Sequence, residues 1–379
     1  MAMEKPNGIE NYSAWLEIDL GAIRNNVKRL GEIAGKPVMA VVKANGYGHG
    51  MVETARAAEA GGAAWCGVAR VEEALTLRAA GLKTPILVMG YTPPEQVLLA
   101  VEEKISLTVY DPEVAKQYLQ TAAASRKRMA VHVKFDSGMG RLGLFPEEGA
   151  AFVRWLRQQP EFEVEGIFSH FARADEPLVE TTAWQIERMN CLLDQLDNEG
   201  LRPALVHASN SAGTLYHPAG RFDMVRAGIA IYGLHPSDEA PLPDDFRPAL
   251  SLKARLVSIK ELPAQHGVGY NYRYVTSAPE RVGVVSIGYA DGYRRKKGNQ
   301  MLIRGQRVTV LGTVCMDQCM VSLKDVPNAL VGDEVVLIGA QGNDCITMEE
   351  VARDWGTVNY EVATSMAHRL PRVYFDSQD

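Results

Sequence analysis

Long apolar runs are missing from this sequence. No stretch approaches the ~20 apolar residues that cross a bilayer, and Met1 to Gly8 lack a basic segment followed by an apolar one. Neither membrane insertion nor export is expected, which makes the cytoplasm the expected location. Cysteine is scarce too. The five cysteines (Cys66, Cys191, Cys315, Cys319, Cys345) form no Cys-x-x-Cys pair, and Cys315 and Cys319 have no histidine nearby, so neither a disulfide framework nor a metal site is expected. Positive charge is not in excess: 40 Lys and Arg against 46 Asp and Glu leave a net charge of -6. Such a chain has no long-range attraction for nucleic acid or an anionic membrane, so any group that binds an anion must act locally.

What is present is ordinary globular composition, 46% hydrophobic and 23% charged, over 379 residues, which is enough for one large domain and one smaller one. From about residue 36 to 235, short apolar runs alternate with amphipathic stretches ended by glycine. The runs predict strands at 37–43, 64–68, 85–89, 106–109, 129–135, 164–169, 204–208 and 222–226, with helices such as 71–80 before Gly81 and 182–199 before Gly200. Eight βα units in about 200 residues match a (β/α)8 barrel better than an open doubly wound sheet. Ahead of them, Trp15, Leu16, Ile18 and Leu20 predict a short strand belonging to either domain, and Asp19 can cap a helix carrying Ile23, Val27, Leu30 and Ile33. A stretch rich in Pro, Asp and Ser at 236–248 reads as a linker, so the expected domains are a barrel over 1–240 and a mainly β domain over 241–379. Strands are predicted there at 252–259, 281–287, 301–303, 306–314, 320–323 and 334–338, with turns at Gly305 and Gly332 and a helix at 348–355 before Gly356.

Barrels place chemistry at the C-terminal ends of strands. Lys43 follows the first apolar run and precedes a glycine-rich segment, Ala44-Asn45-Gly46-Tyr47-Gly48-His49-Gly50, so its amine is expected to be desolvated and nucleophilic. After the fifth run, Gly138-Met139-Gly140-Arg141-Leu142-Gly143 lets backbone approach a ligand and offers an arginine to a carboxylate. His170 follows the sixth run, Asn210 and Ser211 the seventh, and Arg226-Ala227-Gly228-Ile229 the eighth. Small and polar residues after strands seven and eight suit a phosphate, and a lysine able to form a Schiff base beside them suggests pyridoxal 5'-phosphate.

These segments resemble the alanine racemase family over nearly the whole chain. The likeness extends from 40–50 through Ser169-His170-Phe171-Ala172, 226–233, Gly288-Tyr289-Ala290-Asp291-Gly292, Val314-Cys315-Met316-Asp317-Gln318 and Asn359-Tyr360-Glu361-Val362. The resemblance implies interconversion of L- and D-alanine by two opposed bases, Lys43 on the D-face and Tyr270 on the L-face, with Lys43 also anchoring the cofactor. It implies that His170 bonds the Tyr270 phenol and favours its ionised form, and that Arg226 faces the pyridine nitrogen. Because a guanidinium stays protonated, that nitrogen remains unprotonated and the ring becomes a weaker electron sink. The cofactor-binding set implied is Lys43, Tyr47, His170, Asn210, Ser211, Arg226, Gly228, Ile229 and Tyr360. Arg141, Met316, Asp317 and Tyr289 form the substrate set, and Lys134 matches a position carbamylated in many relatives. The resemblance also implies a homodimer whose active sites combine Lys43 of one subunit with Tyr270 of the other, and a role in supplying D-alanine for peptidoglycan.

Other readings fit these residues less well. Gly138-x-Gly140-x-x-Gly143 formally matches a dinucleotide fingerprint, but it falls on the fifth unit of an eight-unit series and holds an arginine inside the turn. A non-enzymatic pyridoxal phosphate carrier would lack the domain that carries Tyr270 and Met316. An amino-acid decarboxylase shares the two-domain plan, and a serine or broad-specificity racemase is closer still. Two departures bear on substrate access: Thr313 stands where many relatives carry arginine, and Arg173 where a small residue is expected.

Overall fold

The computed structural model describes residues 8–125 and 127–377; residues 1–7 and 378–379 of the expected domain spans lie outside them. The chain forms two units. One is Ala22–Arg247, and the other joins the described residues through Gly21 to those from Pro248 onward. The first strand, β1 (Ala14–Asp19), pairs antiparallel with a strand at Leu250–Leu262 and parallel with one at Arg372–Phe375, so of the two domains open to it from sequence it joins the β domain. Periodicity reports that a strand exists but not which edge receives it.

Within Ala22–Arg247, eight parallel strands follow one another: β2 (Val38–Val41), β3 (Trp65–Val68), β4 (Ile86–Val88), β5 (Ile105–Val109), β6 (Met129–Lys134), β7 (Phe162–Phe168), β8 (Leu205–His207) and β9 (Val225–Ala227). Each pairs with the next from β2 to β8, and β2 also pairs with β9. Between β8 and β9, the amides of Asp223 and Met224 reach Val206 O and that of Arg226 reaches Ser209 O, nearly closing the (β/α)8 barrel. Strands such as β4 and β5 are buried at every residue, as expected where a parallel sheet faces helices outside and packed side chains inside. Met39, Leu87, Phe168 and Met224 form an interior cluster, joined by the fully buried rings of His132 and His207.

Two barrel strands differ from expectation. The first ends at Val41, because Ala44, Asn45, Gly46 and Tyr47 all adopt left-handed backbone, with φ between 49° and 61°. The last begins at Val225 because Phe222 is also left-handed, at φ 44°.

The second unit carries the rest of the strands: β10 (Leu250–Leu262), β11 (Gly267–Val268), β12 (Tyr274–Val275), β13 (Glu280–Val285), β14 (Gln300–Ile303), β15 (Gln306–Leu311), β16 (Cys319–Ser322), β17 (Glu334–Gln341), β18 (Asp344–Ile346) and β19 (Arg372–Phe375). Apart from the β11–β12 hairpin they form one sheet with β1, in the order β18-β17-β14-β15-β16-β13-β10-β1-β19, with β17 also meeting β10. β15 stops three residues earlier than the apolar run suggests, since Gly312 turns left-handed at φ 66°. The helix Met348–Trp355 forms as its sequence dictates. Thr347 Oγ1 accepts the Glu350 amide, Met348, Val351, Ala352 and Trp355 share the buried face, and Gly356 ends it at φ 69°. Among the described residues no helix is long and apolar enough to cross a membrane.

Candidate active site

Lys43 begins the left-handed turn that follows β2. Non-glycine residues in this region cost roughly 1–2 kcal/mol each, so a run of them needs external support. Glu73 supplies it: one carboxylate oxygen accepts the Ala44 amide at 2.7 Å and the other the Ala69 amide at 2.7 Å, while Asn45 Oδ1 accepts the Met51 amide at 3.0 Å. Sequence reasoning missed Glu73, which looks like any exposed acid in the first turn of a helix. Burial lowers the Lys43 ammonium below its ordinary range; Arg141 and Arg226 lower it further, and Glu73 opposes them.

The amine belongs to a cluster of cations. Lys134, at the end of β6, is pulled down to about 7 by burial and then by Arg226, Arg141 and Lys43, against the opposing charge of Asp136. Asp136 is largely committed elsewhere, because its carboxylate accepts the amides of Gly138, Met139, Gly140 and Arg141 at 2.7–3.1 Å and shapes the glycine-rich loop. Burial pushes its carboxyl up, but the four amides outweigh burial and hold it low. Buried Lys134 and Arg226, half-buried Lys43 and exposed Arg141, with so little opposing charge, form a site that selects anions.

Arg226, buried on β9, is anchored on nearly every side. Its NH1 donates to His207 Nδ1 and His207 O, both at 2.9 Å, and the two protons of its NH2 are shared among Ser169 O at 2.7 Å, Ala208 O at 2.9 Å and His170 Nδ1 at 3.1 Å. Among the described residues nothing accepts from its Nε, so one N–H remains for a ligand acceptor. An arginine can only donate, so His170 Nδ1 must accept; the ring is then neutral with its proton on Nε2. Burial and the four neighbouring cations push His170 well below its ordinary pKa, consistent with that neutral form.

After β8, Ser211 Oγ accepts the amides of Gly228 at 3.0 Å and Ala230 at 3.2 Å, so its own proton is free to be donated. Gly228 is there for space: a Cβ would lie 2.6 Å from the Tyr47 hydroxyl, whose phenol burial pushes up to about 12. Ile229 is buried beside it. Asn210 caps the helix Ser211–Tyr216, its Oδ1 accepting the Gly213 amide at 2.8 Å, so that oxygen is committed to the fold.

The remaining residues lie in the other unit. Gly288 packs on the Cys315–Met316 backbone, where a Cβ would meet Met316 O at 2.2 Å, and the amides of Tyr289 and Ala290 bond Cys315 O and Met316 O at 3.0 Å. Tyr289 and Met316 thus share one exposed corner, and neighbouring Asp317 is paired with Arg369 at 2.7 Å. Tyr270 stands on a turn between β11 and β12 with 66% exposure, next to Asn271 and Tyr272 in left-handed backbone. Tyr360 is half-buried on the helix Asn359–Thr364. Of the two departures, Thr313 is half-buried behind Gly269, and Arg173 is tied to Glu176, its Nε 2.8 Å from the carboxylate.

A barrel with a desolvated lysine, an anion-selecting cation cluster and a spare guanidinium donor, followed by a β domain, defines the class of barrel enzymes built to hold pyridoxal phosphate. The family models for the N-terminal and C-terminal domains of alanine racemase match residues 18–236 and 249–374. The chain is 45% identical over 363 residues to the alanine racemase of Symbiobacterium thermophilum (95% of this chain, 96% of that one). It is 43% identical to that of Desulfovibrio desulfuricans (96% and 98%). Among solved structures it resembles the alanine racemase of E. faecalis, with a TM-score of 0.90 and 40% identity over 96% of this chain and 99% of that one. It also resembles that of Bacillus anthracis with bound L-Ala-P, with a TM-score of 0.91 and 40% identity over 96% and 95%. This chain belongs to the alanine racemase family, and its activity is the pyridoxal phosphate-dependent interconversion of L- and D-alanine.

Proposed function

We propose that this chain racemises alanine with Lys43 and Tyr270 as the two bases, in active sites shared between the subunits of a cytoplasmic homodimer, and that it supplies D-alanine for peptidoglycan. The observation that carries this reading is the barrel cluster, in which a desolvated amine, an excess of neighbouring cations and one spare guanidinium N–H meet the needs of an anionic aldehyde cofactor and a carboxylate substrate. Lys43 would hold the cofactor covalently. Ser211, Gly228, Ile229, Tyr47 and Tyr360 would hold its phosphate, and Arg226 Nε its ring nitrogen. When bound, pyridoxal phosphate supplies an electron-withdrawing ring that acidifies the substrate α-proton.

The chain's own residues do the rest. Burial favours the uncharged form of the Lys43 amine, the form able to take a proton. His170 directs its Nε2 proton away from Arg226, which suits a donor to the Tyr270 oxygen and favours the phenolate. Arg141 and Met316 would hold the substrate carboxylate, with Tyr289 and Asp317 at the access route. An amine brought to about 7 is nucleophilic at neutral pH. The Lys134 nitrogen would therefore add to carbon dioxide, forming an N–C bond and releasing a proton, and the resulting carbamate would pair with Arg141. Carbon-13 NMR under labelled carbon dioxide tests this, and a protein that shows no carbamate signal, or keeps it in Lys134→Ala, refutes it.

The decisive experiment for the reading as a whole is racemisation measured with added cofactor across L- and D-amino acids. Fastest turnover on alanine is expected; equal or faster turnover of serine would reassign the substrate, and release of carbon dioxide would reassign the reaction.

A further inference from the structure

Behind Arg226 the barrel interior holds a line of polar groups that neither proton transfer nor ligand binding uses. His207 Nε2 lies 2.9 Å from His132 Nδ1, and His132 Nε2 faces the Glu165 carboxylate at 3.6 Å, too long for a direct hydrogen bond but close enough for the carboxylate to attract a ring N–H. Glu165 in turn accepts the Ser106 hydroxyl at 2.6 Å. Both imidazoles are fully buried, whereas Glu165 keeps 30% of its side chain exposed. Among the described residues His132 Nε2 has no closer partner.

Donor and acceptor logic gives this line one polarity. Arg226 has no acceptor, so it donates to His207 Nδ1, and His207 must carry its single proton on Nε2. That proton is donated to His132 Nδ1, which leaves the His132 proton on Nε2, facing Glu165. A doubly protonated His132 would set two N–H groups against each other at one of these contacts. The chain therefore requires two neutral rings between a guanidinium and a carboxylate.

The packing is arranged for it. Phe168 stacks on His207 with centroids 5.0 Å apart, Trp65 meets His132 edge-on at 5.3 Å, and Gly166 leaves room for His132, since a Cβ there would lie 2.6 Å from its Nδ1. Burial, Arg226 and the other ring push His207 well below its ordinary pKa; burial also lowers His132, with Glu165 opposing. For Glu165 itself burial raises the pKa, but His132 and Ser106 outweigh it and keep the group a carboxylate.

We propose that Glu165, backed by Ser106, is a positioning residue: its carboxylate faces the His132 Nε2 proton and electrostatically fixes the polarity of the buried donor chain through His207 and His132 that holds Arg226 in place. The proposal rests on the reading that Arg226 faces the cofactor, but its test separates the two. Nitrogen-15 NMR of histidine-labelled apoprotein at mildly alkaline pH is expected to show His132 and His207 neutral and protonated at Nε2. A wild-type His132 protonated at Nδ1, or at both nitrogens, overturns the chain whatever Arg226 does.

Activity tests the positioning. Loss of the partner that orients a functional group commonly costs 10–100-fold, so Glu165→Leu is expected to shift both histidine spectra and lower kcat for alanine roughly tenfold with little change in KM. Glu165→Gln, whose carbonyl dipole still presents an oxygen to the His132 Nε2 proton, is expected to restore both. A Gln variant no better than Leu, or a Leu variant with wild-type kcat, overturns the role. If Glu165→Leu does not fold, Gly166→Ala displaces His132 from the other side, and unchanged His207 spectra together with unchanged kcat would refute the proposal.

Discussion

Lys43 carries the most direct expectation. A general base contributes typically 10²–10⁴-fold, and Lys43 would also be the covalent anchor, so Lys43→Ala is expected to lose at least ~10³-fold in racemisation along with the lysine-linked cofactor chromophore. Steady-state assay and absorbance of the loaded protein check this together. Tyr270→Phe is expected to keep bound cofactor while exchange of the L-alanine α-proton with solvent falls roughly 10²–10⁴-fold; exchange at the wild-type rate would remove Tyr270 from that role. At Arg226, replacing a permanent donor by a group that shares a proton with the ring nitrogen should deepen the electron sink. Arg226→Glu is therefore expected to divert part of the turnover into transamination, measured as pyruvate released from alanine.

Close approach between elements makes a different kind of test. The segment after β9 passes Tyr47 so tightly that Gly228→Ala must push the phenol aside or move the backbone that holds Ser211. Cofactor affinity measured by titration of apoprotein is expected to fall about tenfold, which is ~1.4 kcal/mol. In the other unit, Thr347→Ala removes the cap of the helix Met348–Trp355 and is expected to cost about 1 kcal/mol in denaturant unfolding without changing kcat.

The assembled protein should show both a shared site and acid sensitivity. If each site takes Lys43 from one subunit and Tyr270 from the other, a dimer of one Lys43→Ala and one Tyr270→Phe chain contains one site with both bases intact. Random co-refolding of equal amounts makes about half the dimers mixed, so roughly a quarter of wild-type activity should return from two inactive proteins. Confirmed mixed dimers without recovery would place both bases in one chain. Acid acts through His170 and His207, whose pKa values lie well below the ordinary 6.5 in the folded protein because their rings are buried beside Arg226. Between the folded and unfolded pKa values the unfolded chain binds more protons. Their contribution to stability is therefore complete above 6.5 and is lost as pH falls toward the folded values. Denaturant midpoints against pH should decline on the acid side of 6.5, with a shallower slope in His207→Asn; an equal slope would show that His207 does not contribute.

Sequence alone determined the order of elements and the chemistry they carry. Strand and helix periods, glycine stops after 80, 199 and 355, and the residues after each barrel strand are local properties, because side-chain pattern and backbone freedom act over a few positions. Lys43, Arg141, His170, Ser211 and Arg226 were legible for that reason, and the family likeness singled out Tyr270 among 14 tyrosines. Tertiary structure decided what depends on distant partners. β1 joins the β10 and β19 edges because hydrogen-bonding edges recognise geometry and not sequence neighbours. Glu73 supports a left-handed turn 29 positions away, and Asn210 is spent on a cap. The line from Arg226 through His207 and His132 to Glu165 exists only once β9, β8, β6 and β7 lie side by side, since hydrogen bonds reach about 3 Å and close electrostatic contacts little further, whatever the separation along the chain.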